Sequence, residues 1–363
     1  MSGRARDAIL AAIRDHGPIS FAEFMEIALY GPGGFYETPP IGEQGHFVTS
    51  PHVHPIFGQL VGEALRSMWE RLDRPTPFRV IEVGAGDGTL AGQILDSLRD
   101  VSKSYLAVER SPGARAGLAG LASRGVRTVP ALEVLDQHAT GCIVANELFD
   151  NLPFRLVRNV PGGLAEVRVG ERRGRLVEID RACSPDLLVD YPLPPLGPGE
   201  VGVLQLEAVH VLERMARMLV RGYVLIVDYA WAGPATPPHG YRGHRVVESL
   251  LDDPGSHDIT AGVDFGALQA RARELGLQAF PPVSQRGALL ALGLEAWLER
   301  ERGRQVEALD RRAGREAVQA WSRRKEAALL ASLDGPGRLR WLVVATAGLP
   351  WPAWLEKAAE LDR

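Results

Sequence analysis

The chain has 363 residues, of which 45% are hydrophobic and 24% are charged, and its formal net charge is −4. This length accommodates one large α/β domain with additions, or two domains. The composition is that of an ordinary globular protein, and a small negative charge gives no overall attraction to polyanions, so nucleic acid is not expected as a partner.

The first 75 residues predict a helical cover that carries a polar loop. Apolar residues recur at helical spacing over residues 4–14 and 20–29, and a third helix is predicted from Pro55 to Leu72. Charges are scattered among the first twenty residues, which excludes the continuous apolar block of a signal peptide or membrane span. With only two cysteines, the chain is expected to be cytoplasmic, with no membrane partner.

Strand and helix patterns alternate regularly after residue 77, which predicts a parallel sheet. A β-hairpin is expected at 154–180, a proline-rich loop at 184–200 and a charged, solvent-facing helix at 302–332. We therefore divide the chain into a cover, 1–75, and a domain, 76–363, with insertions at about 154–200 and 284–335. The predicted strands are 79–83, 104–108, 126–129, 142–145, 223–228, 277–283 and 339–345, and the predicted helices are 89–98, 112–122, 201–220 and 265–275.

Three glycines follow the first of these strands, in Val80-Ile-Glu-Val-Gly-Ala-Gly-Asp-Gly88. Two of them allow the backbone to pass close to a ligand, and the third lets strand and helix pack tightly. A dinucleotide fingerprint needs its last glycine one residue later, and a phosphate-binding P-loop needs a following Gly-Lys-Ser/Thr. The turn predicts a cofactor site of another kind, with a purely structural turn as the alternative.

Glu109 ends the next predicted strand, 21 residues beyond Gly88. A carboxylate at this place can accept hydrogen bonds from both ribose hydroxyls of an adenosine. Each such bond to a charged acceptor contributes about 1.5–3 kcal/mol. The glycine turn and Glu109 together therefore favour an adenosine-containing cofactor.

Polar side chains also follow the buried strand 142–145. Asn146, Glu147, Asp150 and Asn151 come where ligands bind in an open parallel sheet, beyond the carboxyl ends of the strands. A carboxylate such as Glu147 can hold a guanidinium or ammonium group, or act as a base toward a hydroxyl. For Asp150 and Asn151, a simple helix or turn cap is the alternative.

The polar loop before the third helix concentrates further hydrogen-bonding side chains. Thr49 and Ser50 either join the site or cap the helix that follows them. His52 and His54 lack a neighbouring Cys or Glu at a familiar ligand spacing, so no metal is expected.

Taken in order, these motifs resemble those of the MidA-like methyltransferase family, whose mitochondrial member is an arginine methyltransferase acting in respiratory complex I assembly. The resemblance implies a class I methyltransferase (Rossmann-like) α/β fold, with a seven-stranded, mostly parallel sheet, an N-terminal helical cover and a small inserted β/helical region. It also implies S-adenosyl-L-methionine as cofactor, with Glu82 under its methionine amino end. The resembling stretches are Phe24–Tyr36, Gly45–Pro51, Ile81–Leu90, Val108–Ser111, Ala145–Pro153, Asp228-Tyr229, Tyr241–His244 and Asp258–Phe265.

The predicted site combines the strand ends with this resemblance. Its cofactor-binding residues are Glu82, Gly84, Ala85, Gly86, Gly88, Glu109, Arg110, Thr49, Ser50 and Asn146. Its catalytic candidates are Glu147, Asn146, His46 and Asp150.

Two residues depart from the family pattern. His46 stands where the family usually has Asp, and Asn151 where it has a small residue. If the missing carboxylate helps to bind a cationic arginine, the acceptor here is instead a small-molecule hydroxyl or amine, and His46 itself can act as a base. The expected partner is therefore a methyl acceptor, either a protein arginine or a small molecule. A cofactor-binding assembly factor that transfers no methyl group, a nucleotide-dependent oxidoreductase and a homodimeric state stay open as alternatives.

Overall fold

The computed structural model describes residues 2–37, 49–132, 139–189, 191, 193–243 and 245–363. None of the helices within these ranges combines the length and apolarity that a membrane crossing requires. The helices are α1 Ser2–His16, α2 Phe21–Met25, α3 Ser50–Val53, α4 Ile56–Arg71, α5 Thr89–Ser97, α6 Pro112–Leu118, α7 Pro185–Val189, α8 Leu206–Arg217, α9 Phe265–Glu274, α10 Gln285–Ala291, α11 Leu294–Asp310, α12 Gly314–Leu329 and α13 Ala353–Leu361. The strands are β1 Ile19–Ser20, β2 Phe78–Val83, β3 Lys103–Val108, β4 Val126–Val129, β5 Ala139–Asn146, β6 Arg155–Val160, β7 Gly163–Arg172, β8 Arg175–Ala182, β9 Val201–Leu204, β10 Leu219–Asp228, β11 His239–Arg242, β12 Arg245–Val246, β13 Asp258–Thr260, β14 Gln278–Ala279, β15 Val283–Ser284 and β16 Arg340–Ala345.

The main sheet has the strand order β14-β16-β10-β5-β2-β3-β4, and β15 also pairs with β16. From β4 to β10 the neighbours run parallel, whereas β16 is antiparallel to β10. The strand order reverses between β2 and β5, which is where an open α/β sheet leaves a crevice for ligands. The predicted class I methyltransferase fold with a mostly parallel sheet is confirmed, although the sheet has eight strands rather than seven because β14 and β15 both pair with β16.

Helices cover both faces of this sheet, so its strands are apolar on both sides. In β2, Val80 packs into the cluster formed with α4 and α5, while Ile81 and Val83 pack into the cluster formed with α8 and α9. This two-sided burial explains why Arg79–Val83 reads as a nearly continuous apolar run. It also holds the carboxyl end of β2 fixed beneath the glycine turn.

A second sheet is formed by β6, β7, β8 and β9, which lie between β5 and α8 in the chain, together with β1, which comes from near the N-terminus and pairs with β7. Its apolar side packs with α1, α2 and the π-helical turn Glu26–Tyr30 in a separate core. Through this core, the N-terminal segment (residues 2–37) is anchored to the insertion as well as to the main domain. A third small sheet has the order β12-β11-β13.

Four elements differ from their sequence predictions. The proline-rich segment expected as a loop at 184–200 contains the short helix α7. The helix expected from Val201 begins only at Leu206, because residues 201–204 form β9, which pairs with β6. The single charged helix expected at 302–332 is a helical hairpin, with α11 and α12 joined by a turn in which Arg312 has a φ of 58°. The strand expected at 277–283 is divided into the two short strands β14 and β15.

Candidate active site

The glycine turn after β2 adopts a backbone that side chains would obstruct. Gly84, Gly86 and Gly88 have φ values of 75°, 55° and 87°, a region that L residues rarely enter. A Cβ at Gly84 would lie 2.9 Å from Leu148, and one at Gly88 would lie 2.8 Å from Leu118. The glycines therefore permit both the turn and the close packing around it.

A cavity of about 1190 Å³ opens above this turn. Its floor and walls include Gly84, Gly86, Glu109, Arg110 and Glu147, all of them predicted site residues. Since ligand pockets usually measure about 300–1,000 Å³, it has room for a nucleoside cofactor together with part of a second substrate. Further lining comes from the N-terminal segment, from residues 130–132 after β4 and from α8.

Glu109 presents its carboxylate to the cavity while bracing the turn. Its Oε2 accepts a hydrogen bond from Gly86 N at 2.9 Å, and its Oε1 accepts one from Ser111 N at 2.7 Å. Burial raises the pKa of Glu109, and these N–H groups oppose that rise. Each oxygen keeps a second acceptor position, so the residue fits a pair of ribose hydroxyls.

Glu82 lies beneath the turn and is 2% exposed. It accepts a hydrogen bond from the Tyr105 hydroxyl at 2.6 Å, and burial raises its pKa to about 8. Neither Glu82 nor the predicted residues Ala85 and Gly88 are among the cavity lining. Glu82, Ala85 and Gly88 are therefore placed to support the turn rather than to line the cavity.

Glu147 occupies a strained position at the carboxyl end of β5. Its φ is 49°, and such conformations cost about 1–3 kcal/mol in a residue other than glycine. Its Oε1 accepts hydrogen bonds from Ser50 N at 2.8 Å and from the Asn146 amide at 3.3 Å. Burial raises the pKa of Glu147 to about 7, so the group is close to half-ionised at neutral pH.

Three further carboxyl groups are near this end of β5: Asp150 and Asp228 interact electrostatically with Glu147, and Asp258 interacts with Asp150. Burial raises the pKa of all three, that of Asp150 to about 6, that of Asp258 to about 7 and that of Asp228 well above its ordinary value, and the Asp150 charge raises the pKa of Asp258 and Asp228 further. Asp150 Oδ2 accepts a hydrogen bond from the Thr260 hydroxyl, but its buried Oδ1 has no hydrogen-bond partner. Across the described ranges, no Lys, Arg or His forms an ion pair with any of these four carboxyl groups.

Two stacked tyrosines of the N-terminal segment join the cofactor side of the cavity to this acidic group. The rings of Tyr30 and Tyr36 are 5.3 Å apart, and the Arg110 guanidinium lies 3.9 Å from the Tyr30 ring. The Tyr36 hydroxyl donates to Asp258 at 3.0 Å, and the Tyr30 hydroxyl donates to the backbone oxygen of Asn151 at 3.1 Å. Arg110 also pairs with Glu26 of the same segment.

Thr49 and Ser50 contact the site without lining the cavity. Ser50 reaches Glu147 through its backbone, and the Thr49 hydroxyl contacts His52, whose other ring nitrogen lies 3.0 Å from Asp87 Oδ2. Burial raises the pKa of Asp87, but the hydrogen bonds from His52 and Thr89 outweigh it and lower the pKa to about 2. Neither Thr49 nor Ser50 caps α3 with its side chain.

His46 lies outside the described residues. Within the ranges that are described, no group of three His, Cys, Asp or Glu side chains is arranged to hold a metal ion. Asn146 and Asp150 lie behind the cavity wall, and Asn146 Oδ1 is buried without a partner.

Sequence reasoning missed the contribution of the N-terminal segment. Tyr30 and Tyr36 stand in the glycine-rich stretch 30–36, and Asp258 stands in the stretch 258–265, but neither stretch carries a signal that the two meet. The sequence predicted Asn151 either at the ligand-binding end of the sheet or as a helix or turn cap. Its side chain donates to Asp258 Oδ2 at 2.8 Å rather than capping a turn.

Comparison with known proteins gives the family and the fold. The profile of a family described as S-adenosyl-L-methionine-dependent methyltransferases matches residues 60–283. The chain is 30% identical over 340 residues to the protein arginine methyltransferase NDUFAF7 homolog, mitochondrial, of Drosophila melanogaster, covering 82% of this chain and 76% of the relative. It is 28% identical to the human protein arginine methyltransferase NDUFAF7, mitochondrial, covering 80% and 74%.

A solved structure is similar over almost its whole length. It is a superfamily member from Burkholderia thailandensis bound to S-adenosyl-homocysteine, with a TM-score of 0.81 and 26% sequence identity. The match covers 96% of this chain and 93% of that one.

Proposed function

The chain belongs to the family of S-adenosyl-L-methionine-dependent methyltransferases, and from this premise we propose that its methyl acceptor is an arginine side chain of a protein. The names of the fly and human relatives support an arginine acceptor. The single observation that carries the proposal is Glu147, a carboxyl at the cavity wall that is backed by the buried carboxyls Asp150, Asp228 and Asp258 and has no cationic partner among the described residues.

A guanidinium ion is complementary to this acidic group in charge and in hydrogen bonding. It presents five N–H donors in a plane, and carboxylates are its strongest acceptors. Glu147 offers the acceptor position at the cavity wall, and Asp150 adds negative charge behind it. Uncompensated buried carboxylates are costly, so a bound cation would relieve their mutual repulsion.

When bound, S-adenosyl-L-methionine supplies an electrophilic methyl group on a sulfonium. For the donor we propose that Gly84 and Gly86 pass beneath the amino-acid half, that Glu109 accepts from the ribose hydroxyls and that residues 130–132 flank the base. Arg110 closes the edge of the cavity, and Glu82, Ala85 and Gly88 hold the turn in shape. The open end of this arrangement is at Glu147.

On the acceptor side, the protein has to align the attacking nitrogen and to remove its proton. We assign both tasks to Glu147, whose pKa of about 7 suits an exchange of protons near neutral pH. The attacking nitrogen would gain the methyl carbon as the carbon–sulfur bond breaks and its electron pair stays on sulfur, and the Glu147 carboxylate is placed to accept the proton that this nitrogen loses. Asn146 and Asp150 keep Glu147 in a polar, anionic surrounding.

The test is incubation of the purified protein with methyl-labelled donor and a lysate of its own cells, followed by hydrolysis and separation of the methylated amino acids. Label in methylarginine is the expected result. Label in a small metabolite would establish the small-molecule alternative, and an absence of label alongside donor binding would indicate the non-catalytic assembly factor. The fly and human relatives are named as mitochondrial, and a cytoplasmic location for this chain stays a prediction.

A further inference from the structure

Asp228 is a buried carboxylate at the end of β10 whose described hydrogen-bond donors are all backbone N–H groups. Its Oδ2 accepts from Leu148 N at 3.1 Å and from Phe149 N at 2.8 Å. Its Oδ1 accepts from Tyr229 N at 2.8 Å, and the residue is 0% exposed. Two of these three donors belong to the turn after β5, so one strand holds the end of its neighbour.

The turn held in this way begins at Glu147. Parallel pairing brings the ends of the two strands together, with Asn146 opposite Val227, and Glu147 N donates to the Val227 oxygen at 2.8 Å. The chain then bends through the left-handed φ of 49° at Glu147. Strained conformations of this kind persist only where the surroundings over-determine them. The Val227 oxygen fixes the peptide before the bend, and Asp228 fixes the two that follow it.

The direction of the Glu147 side chain depends on this bend. At a carboxyl strand end, an extended φ would send the next side chain to a different side of the sheet than a left-handed φ does. With the bend in place, Glu147 lines the cavity and its Oε1 meets Ser50 N. The two bonds from the turn to Asp228 therefore orient the Glu147 carboxylate without touching it.

We propose that Asp228 is a positioning residue, whose carboxylate locks the turn 147–149 and thereby aims Glu147 at the methyl acceptor. This inference rests on the proposed role of Glu147 in methyl transfer. Asp228 touches neither the cavity nor a reacting atom, since its bonds go to the backbone alone.

A double-mutant cycle tests this action through Glu147. Asp228→Asn keeps the side-chain shape but replaces one carboxylate oxygen by an NH₂ group, which cannot accept a hydrogen bond, and leaves an amide oxygen, which is a weaker acceptor. Because the turn at Glu147 is then held less firmly, kcat should fall about tenfold or more. The Kd for S-adenosyl-homocysteine should stay within about twofold, because the donor side is intact. In a Glu147→Gln background, the same substitution should change kcat by less than about twofold, because coupled residues are not additive. Three results would each overturn the proposal: a double variant whose loss of kcat is the product of the two single losses, an Asp228→Asn variant with the wild-type kcat, or a loss of donor affinity as large as the loss of kcat.

Hydrogen exchange provides a readout that needs no acceptor and no activity. In Asp228→Asn the amides of Leu148 and Phe149 should exchange faster, while the Ala267 amide, which Asp264 caps at 2.9 Å, should be unchanged. Asp264→Asn is the matched control, since it also alters a buried carboxylate that caps backbone, and it should leave kcat at the wild-type value. Unchanged exchange at Leu148 and Phe149 would contradict the lock. A wild-type protein that methylates no arginine would refute the proposed function, while the exchange measurement would still decide on the turn.

Discussion

Glu109 is the residue whose role is most directly measurable, because its two oxygens are already oriented by Gly86 N and Ser111 N. We expect Glu109→Gln to weaken donor binding at least about tenfold, since it removes a charged acceptor worth about 1.5–3 kcal/mol per bond. Calorimetric titration with S-adenosyl-homocysteine measures this change. Glu299→Gln, on the exposed side of α11, is the control, and an affinity equal to wild type in Glu109→Gln would remove Glu109 from the site.

The raised pKa of Glu147 predicts how the activity depends on pH. Its pKa is raised to about 7, so the carboxyl group is protonated below that pH and can neither pair with a cation nor take a proton. We expect kcat/KM for the acceptor to rise as pH increases through about 7 and then to level off. Glu147→Gln should show a low, flat profile, and the exposed Glu70→Gln should retain the wild-type shape. A wild-type profile that falls with rising pH would rule out an ionised Glu147.

At the scale of residues, the sequence located the donor side better than the acceptor side. Gly84 to Gly88 and Glu109 lie in consecutive elements, so local spacing was enough to place them together. Tyr36 and Asp258 are 222 positions apart, and their hydrogen bond depends on how the N-terminal segment folds across the sheet. Glu147 was identified from its strand end, but its left-handed backbone has no sequence signal, since such a position usually takes Gly, Asn or Asp.

At the scale of elements, the N-terminal segment closes the cavity through small contacts with the end of β3. Arg110 stacks on Tyr30 and pairs with Glu26, and the Ser111 hydroxyl donates to the backbone carbonyl oxygen of Tyr36 at 2.9 Å. Half-exposed ion pairs and cation–π contacts contribute about 1 kcal/mol together. The contacts at Arg110 and Ser111 are therefore a weak part of the closure, and the apolar core holds the rest of the segment.

Removal of the Arg110 contacts should loosen this closure. We expect Arg110→Gln to speed proteolytic cleavage within residues 2–37 and to weaken donor binding by about fivefold, which corresponds to about 1 kcal/mol. Arg99→Gln, which alters an exposed arginine away from the cavity, should change neither quantity. If Arg110→Gln cleaved at the wild-type rate, the segment would be held by its apolar core alone.

The elements that sequence patterns misassigned are those decided by distant contacts. Residues 201–204 continue the helical spacing of α8, but they become a strand because β6 offers an unpaired edge to them. The break between α11 and α12 falls at Arg312, in a run of good helix formers, and only Gly314 after it suggests an interruption. The parallel strands were located closely, because their apolar runs are buried on both faces.

At the scale of the whole molecule, four buried carboxyls make stability depend on pH. The pKa values of Glu82, Glu147, Asp150 and Asp258 are raised to about 8, 7, 6 and 7. Between their ordinary values near 4 and these raised values, the folded state binds more protons than the unfolded state. The free energy of unfolding contributed by these groups is therefore lost as pH rises through that window.

This linkage predicts the behaviour of Asp258→Asn, which cannot ionise. In the absence of ligand, the Tm of Asp258→Asn minus that of wild type should increase as pH rises from 5 to 8, because only the wild type loses stability when Asp258 ionises. The exposed Asp310→Asn should follow the wild-type curve in parallel. If Asp258→Asn also ran parallel to wild type, Asp258 would not ionise within that range.

The account depends most on one spatial relation, that the donor lies between Glu109 and Glu147. A crystal structure with S-adenosyl-homocysteine measures it directly. We predict the ribose hydroxyls within hydrogen-bonding distance of Glu109 and the sulfur facing the Glu147 carboxylate across the space left for the acceptor. A nucleoside bound away from Glu109, or a sulfur turned away from Glu147, would contradict the proposed mechanism.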